Sequence, residues 1–276
     1  KMNFNTLRVT LGFAKRLQDI SKFNFFGTLA FIWTMKKTNV DNSKNEQDLL
    51  LIRTDELFEN LQYEQCYHML ISSKNPNDVE VQWRLSRVIY NMSKEVDKNV
   101  AKKKELISRS YDIISNVLQD NWDHYAVHKW YAILLDAKSQ NEGIKERILQ
   151  LEKVKKHMDL AVTLNPNDST TLHMLGEWCY QVADMPWYTR KIAETLFSKP
   201  PHSTYEDALE YFLKAESVQP RFYSLNLLRI GNCYLKLKKE DQAKYYLILA
   251  ASYPAKSNDD YRANKEAAEL LKTIEK

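Results

Sequence analysis

Glycine is nearly missing from this chain. It has five glycines and seven prolines in 276 residues, where an average protein has about 7% and 5%. So few turn formers exclude a chain built from many tight turns. They also exclude the glycine-rich loops that cradle phosphates: neither G-x-x-x-x-G-K nor G-x-G-x-x-G occurs, and no G-x-S-x-G elbow is present. Strand signals are absent too, since no alternating run of β-branched residues is bounded by glycine. The three cysteines, Cys66, Cys179 and Cys233, are far apart and form no C-x-x-C. That excludes a disulfide framework or a zinc site and suits buried thiols in a reducing compartment. What remains is a sequence rich in Leu, Ala, Lys and Glu, so the expected fold class is all-α.

Acidic residues are scarce at one end only. Residues 1–38 carry seven Lys or Arg against the single acid Asp19, a net +6 that leaves the remainder of the chain at −2. The body is therefore not a basic protein, and nucleic acid is not an expected partner. The densest apolar run, Phe25 to Met35, is too short for a simple membrane span of about 20 residues. Residues 1–38 are read as a basic, hydrophobic targeting or membrane-surface segment, with peripheral membrane contact expected through residues 8–35. A helix docked on the body is the alternative. Lys1 is not a natural start, so residues ahead of it that lengthen a targeting signal are also an open alternative. The polar stretch Thr38 to Asp48 lacks apolar periodicity and is read as a linker, 39–47.

From residue 48 to 276 the chain repeats itself. Apolar residues recur at helical spacing in blocks separated by Asn-Pro or other proline-containing breaks, with "NPND" at 75–78 and again at 165–168. Ala208, Phe212, Ala215 and Pro220 fall at offsets 0, 4, 7 and 12, the small–aromatic–small–proline pattern of a tetratricopeptide second helix. Leu172, Leu175, Gly176 and Cys179 supply the first-helix pattern, and Leu227, Ile230, Gly231 and Tyr234 repeat it. A small residue lets the partner helix approach, and a large residue fills the space between them. This predicts antiparallel helix pairs near 48–73, 78–118, 124–164, 168–219 and 222–253, with a closing helix near 258–275. Within the fourth pair, "WYTRKIAETLF" between Pro186 and Pro200–Pro201 reads as an inserted helix. Trp187, Ile192, Leu196 and Phe197 are expected to face inward, with Ser203 or Thr204 capping the helix that follows.

Candidate chemistry is thin. His124 and His128 share a helix face as metal ligands can, but no third ligand is in view, and packing or capping is the preferred reading. "HMLGE" at 173–177 lacks the second histidine of a zincin. No metal, no cofactor and no enzymatic activity are expected. The aromatic cluster is more informative: Trp130, Tyr131, Trp178, Trp187 and Tyr188, with Arg190, are the candidate groove residues for a ligand or partner on the inner surface of a curved array. Core packing is the competing reading for each.

At "HKWYAILL" (128–135), "GEWCYQVADMPWYTRKIAETLFSKPPHSTYEDALEYFLKAE" (176–216) and "FYSLNLLRIGNCYLKL" (222–237) the sequence resembles the regulator of microtubule dynamics family. The resemblance runs from about Leu57 to the C-terminus, and the N-terminal 50 residues match only loosely. It implies a tetratricopeptide-like array in the cytoplasm or mitochondrion, associated with microtubules, tubulin and the spindle, or with an organelle-linked protein. A membrane-anchored relative implies phospholipid binding at a mitochondrial membrane contact as the alternative. Tubulin is acidic and this body is slightly acidic itself, which stands in tension with that expectation; Lys102–Lys103–Lys104 and Arg190–Lys191 read as a local basic patch or, equally well or better, as a solvated helix face.

Overall fold

The structure is a computed structural model that describes residues 45–96 and 99–274. The basic segment 1–38, its stretch 8–35 and the first part of the 39–47 linker lie outside the described residues. Two compact units divide the chain between Glu56 and Leu57. The described part of the first is residues 45–56, the opening turns of helix α1 (45–59). Helix therefore already runs through 45–47, inside the stretch read as linker. Asn45 to Asp48 offers no apolar periodicity, yet Glu and Gln are good helix formers.

The second unit holds α2 (Tyr63–Ile71), α3 (Val79–Glu95), α4 (Val100–Asp120), α5 (Tyr125–Glu142) and α6 (Ile144–Leu164). It continues with α7 (Ser169–Ala183), α8 (Trp187–Leu196), α9 (Tyr205–Val218), α10 (Ser224–Lys236), α11 (Glu240–Ala251) and α12 (Asn258–Ile274). Among the described residues there is no strand, and no helix is long and apolar enough to cross a membrane. The repeat spacing therefore locates the helices correctly. Both "NPND" breaks act as expected: Asp78 caps α3 by accepting from Glu80 N at 2.8 Å, and Asp168 caps α7 by accepting from Thr171 N at 3.3 Å. The break between α5 and α6 is only Gly143, at φ 115°, a backbone conformation that glycine alone adopts without strain.

Helices of a pair pack side by side: α3 on α4, α5 on α6 and α10 on α11 as chain neighbours, and α7 on α9 across the inserted α8. Short connections make such neighbours antiparallel. Two of these contacts depend on a missing side chain. A Cβ at Gly176 would lie 2.6–2.9 Å from ring atoms of Phe212, and one at Gly231 would lie 2.7 Å from Leu247. Phe212 and Leu247 are completely buried. The helices approach until the large residue of one seats against the bare backbone of the other.

The α5–α6 pair is joined differently. His128 on α5 and His157 on α6 are buried, with their Nδ1 atoms 2.8 Å apart. His128 Nε2 lies 2.7 Å from the Trp122 carbonyl and so carries the proton it donates there. Its Nδ1 is then the acceptor, and His157 Nδ1–H donates. The Trp122 ring stands edge-on to both imidazoles. His124, at the start of α5, turns away and bonds Glu80 at 2.8 Å. That contact, with Arg84 and Trp83, holds the Glu80 carboxyl down at about 2 against the cost of burial.

Candidate binding groove

One face of the array is concave. A cavity of about 1730 Å³ is lined by α3, α5, α7, α10 and α12, with contributions from α4, α6 and the start of α8. Among the described residues nothing from α9 or α11 lines it, so those second helices form the outer layer.

Ion pairs tie helices together across this surface, both within a repeat and between repeats. Arg229 on α10 donates from Nε and Nη2 to both oxygens of Glu177 on α7, at 2.7 and 3.0 Å. Arg147 makes the same two-pronged contact with Asp136, at 2.9 and 3.2 Å, and reaches Gln181 at 2.9 Å. Lys236 Nζ and the Tyr205 hydroxyl both donate to Asp184 Oδ1 at 2.6 Å. Burial opposes the charged form of Glu177, but Arg229 outweighs it and keeps the carboxyl below its ordinary value. Two-pronged arginine pairs fix orientation as well as charge, so the floor of the groove is held in one arrangement.

Beside this ladder lies a buried polar set. His173 Nδ1–H donates to Asn226 Oδ1 at 3.0 Å, while Asn226 Nδ2 donates to the Phe212 carbonyl at 3.1 Å. Burial keeps His173 below its ordinary value and so neutral. Burial pushes the Tyr180 hydroxyl up to about 12 and raises Tyr223 as well. None of these groups is poised to move a proton near neutral pH. What they offer is hydrogen bonding and packing, as a recognition surface does.

The six residues expected to line a groove are not in this one. Trp130 and Tyr131 lie in the core, at 8% and 4% exposure. Trp178 is also buried; its Nε1–H donates to the Leu151 carbonyl at 3.0 Å. Its ring borders a separate cavity of about 850 Å³ shared with Lys155, Lys199 and Pro200–Pro201. Trp187 and Tyr188 are on α8, pointing out at 78% and 53% exposure, and Arg190 is half-buried with Nη2 3.5 Å from the Val182 carbonyl. The expected inward face of α8 holds for Ile192, Leu196 and Phe197, which pack on the core, but not for Trp187. Five residues separate Trp187 from Ile192, about 140° around a helix, which turns the indole away from the packed face.

The lining was nevertheless encoded in the repeat phase. Glu177 and Asn232 each follow the repeat glycine by one residue, and both line the groove; so do Tyr180 and Leu235, then Gln181 and Lys236. The residue after the small position is the signal that finds the inner face, whereas aromatic content finds the core.

Comparison with known proteins agrees with this architecture. A tetratricopeptide-repeat protein of Thermus thermophilus superposes with a TM-score of 0.56 at 13% identity, covering 80% of this chain and 98% of that one, a likeness of fold. Regulator of microtubule dynamics protein 1 of Mus musculus is 42% identical over 222 residues, 80% of this chain and 73% of the relative. Regulator of microtubule dynamics protein 3 of the same organism is 32% identical over 236 residues, 83% of this chain and 50% of the relative. The family model described as Regulator of microtubule dynamics protein 1-3 matches residues 50–275, and the chain belongs to that family.

Proposed function

We propose that this protein is a non-enzymatic helical-repeat binding module that acts on microtubules, holding an extended segment of its partner along the concave groove. The observation that carries the reading is the groove itself. It is built largely from the inner helices, its floor is locked by ion pairs between repeats, and His173, Tyr180 and Tyr223 beside it are not poised for proton transfer near neutral pH. The names of the relatives point the same module at microtubule dynamics. Its lining has seven basic and six acidic side chains, so recognition rests on where charges stand rather than on an overall field. Of the six aromatic and basic residues singled out from the sequence, Trp187 and Tyr188 are the two most open to a partner. Spindle and mitochondrion are the places where we expect the protein to act.

Co-sedimentation of the full chain with polymerised microtubules, across a range of salt, tests this. Pelleting at low salt that weakens as salt screens the charges is the expected result; no pelleting at low salt overturns it. A second reading, a phospholipid carrier at a mitochondrial membrane contact, draws on the size of the cavity and on Ile148, Leu151 and Val182 in its lining. The ion pairs beside them weigh against it, because acyl chains leave such groups without water. Native mass spectrometry of the purified chain decides: co-purified lipid supports the carrier, and clean protein that takes up none from liposomes removes it.

A further inference from the structure

One end of the groove carries more cations than acids. Lys94, in the last turn of α3, Lys103 on α4, Lys256 and Arg262 on α12 all line the same cavity. Arg262 pairs with Asp259 at 3.2 Å. Among the described residues Lys94 makes no ion pair; its ammonium stands 4.9 Å from the centre of the Tyr90 ring. The side chain lines the concavity while staying open to solvent. Burial lowers its pKa; Asp259 opposes that, while Arg262 and Lys103 add to the lowering. The first and last parts of the array thus face each other closely enough to feel one another's charge. The acids at this end are Glu95, Asp259 and Glu266, fewer than the four cations. This differs from the rest of the floor, where Arg147, Arg229 and Lys236 are each matched by a carboxylate.

We infer that this end of the groove, at Lys94, Lys103 and Arg262, receives an acidic, extended peptide segment. A concave wall concentrates the field of cations that outnumber the acids beside them, and lysine and arginine donate charge-assisted hydrogen bonds to carboxylates. A negatively charged segment relieves the crowding of Lys94, Lys103 and Arg262, which a neutral one does not. The inference rests on the proposed microtubule function, whose partner surface is acidic, and it names the part of the groove that meets that acidity.

The test uses the full chain and two readouts. The first is fluorescence anisotropy of a labelled twelve-residue poly-Glu peptide and its poly-Gln counterpart. The second is co-sedimentation with microtubules, intact or stripped of their acidic carboxy-terminal tails by limited proteolysis. The triple variant Lys94→Glu/Lys103→Glu/Arg262→Glu is compared with Lys145→Glu/Lys214→Glu/Lys265→Glu, which changes the same charge at exposed lysines outside the cavity lining. Thermal melts check that both fold. The expected result is Glu-peptide binding that the groove variant weakens at least tenfold and the control variant by less than threefold. The Gln peptide should stay unbound, and microtubule pelleting should fall on tail removal and in the groove variant alike. Equal binding of the two peptides, or equal loss in both variants, overturns the inference. Pelleting that survives both tail removal and the groove variant also overturns it while leaving the microtubule function in place. Absent pelleting with intact, groove-dependent Glu-peptide binding does the reverse: the microtubule function fails and the acidic-peptide site stands. Phosphatidylserine vesicles that bind the wild type but not the groove variant, with no peptide binding, overturn it in favour of a membrane.

Discussion

Neighbouring helix pairs in this array close by different chemistry. In α7–α9 and α10–α11 a glycine faces a large apolar residue, Gly176 against Phe212 and Gly231 against Leu247. In α5–α6 the contact is a hydrogen bond between two buried imidazoles, His128 and His157. The apolar closures contain nothing that titrates, so their contribution is indifferent to pH. The imidazole hydrogen bond needs a neutral His128, because protonating His128 Nδ1 sets two donors against each other, and burial disfavours charge on either ring. One repeat unit is thus filled in two ways, with apolar contacts at two closures and a titratable pair at the third.

The comparison breaks most sharply at Phe212. Phe212→Ala removes a fully buried ring and should cost roughly 3–5 kcal/mol in urea unfolding. Gly176→Ala, whose added methyl meets that ring, should cost roughly 1–3 kcal/mol by overpacking. The double variant should cost clearly less than the two together, since removing the ring removes the clash and the methyl occupies part of the cavity. Strict additivity would mean that the two positions are not the closure described here.

Acid is the next lever, and it acts on the other pair. Burial first, then His128, Lys153 and Lys156, pushes His157 from its ordinary 6.5 down to about 4; burial also lowers His128. A depressed histidine pKa contributes stability that is fully present above about pH 6.5 and is lost as pH falls toward 4, because the unfolded chain takes up the proton first. At 1.36 kcal/mol per pKa unit, His157 alone accounts for about 3 kcal/mol over that window. Urea midpoints at pH 7 and pH 4 should show this loss. In His157→Gln, which keeps an amide donor toward His128 but cannot titrate, the drop should shrink to what His128 and the carboxylates leave. An unchanged drop would remove the imidazole pair as its cause.

How much of this was readable beforehand depends on the range of the interaction. Offsets within one helix, such as Ala208, Phe212 and Ala215, locate the packed face because they are set by helical period alone. The cap of α9 was also readable. Thr204 Oγ1 accepts from Asp207 N at 3.1 Å, and Asp207 returns the contact by accepting from Thr204 N at 2.9 Å, a reciprocal pair written in four residues. The His128–His157 bond spans 29 residues and the Glu177–Arg229 pair 52. Nothing local distinguishes their partners from any other polar residue at the right phase. Trp130, Tyr131 and Trp178 were assigned to the groove on their chemistry, but large rings are also what fills the space between paired helices. Charged and polar residues such as Glu177, Arg229 and Asn232 line the inner face.

A finer contrast separates the two glycine closures. At Gly176 the added methyl would press on a rigid ring. At Gly231 it would meet Leu247 Cγ and Cδ2, atoms of a side chain that can change rotamer. Helix propensity offsets part of either clash, so Gly231→Ala should cost about 1 kcal/mol, less than Gly176→Ala. The reverse order, read from urea midpoints, would show that ring rigidity is not what ranks the two sites.

The smallest effect belongs to the inserted helix. Trp187 is 78% exposed and its ring stands edge-on to Tyr188, at 6.1 Å between centroids. Helix α8 is instead anchored from its other side, where Ala193 is buried and Ile192, Leu196 and Phe197 pack on the core. Trp187→Ser should therefore leave unfolding stability within about 0.5 kcal/mol of wild type, as surface substitutions do. Ala193→Asp, on the packed side, should destabilise the chain clearly, because it buries a charge without a partner. If Trp187→Ser destabilises the chain by as much as Ala193→Asp, the indole is packed rather than presented, and α8 is a lid held from both faces. If stability is unchanged but microtubule pelleting falls, the same exposed ring is a contact for the partner, beside the groove rather than inside it.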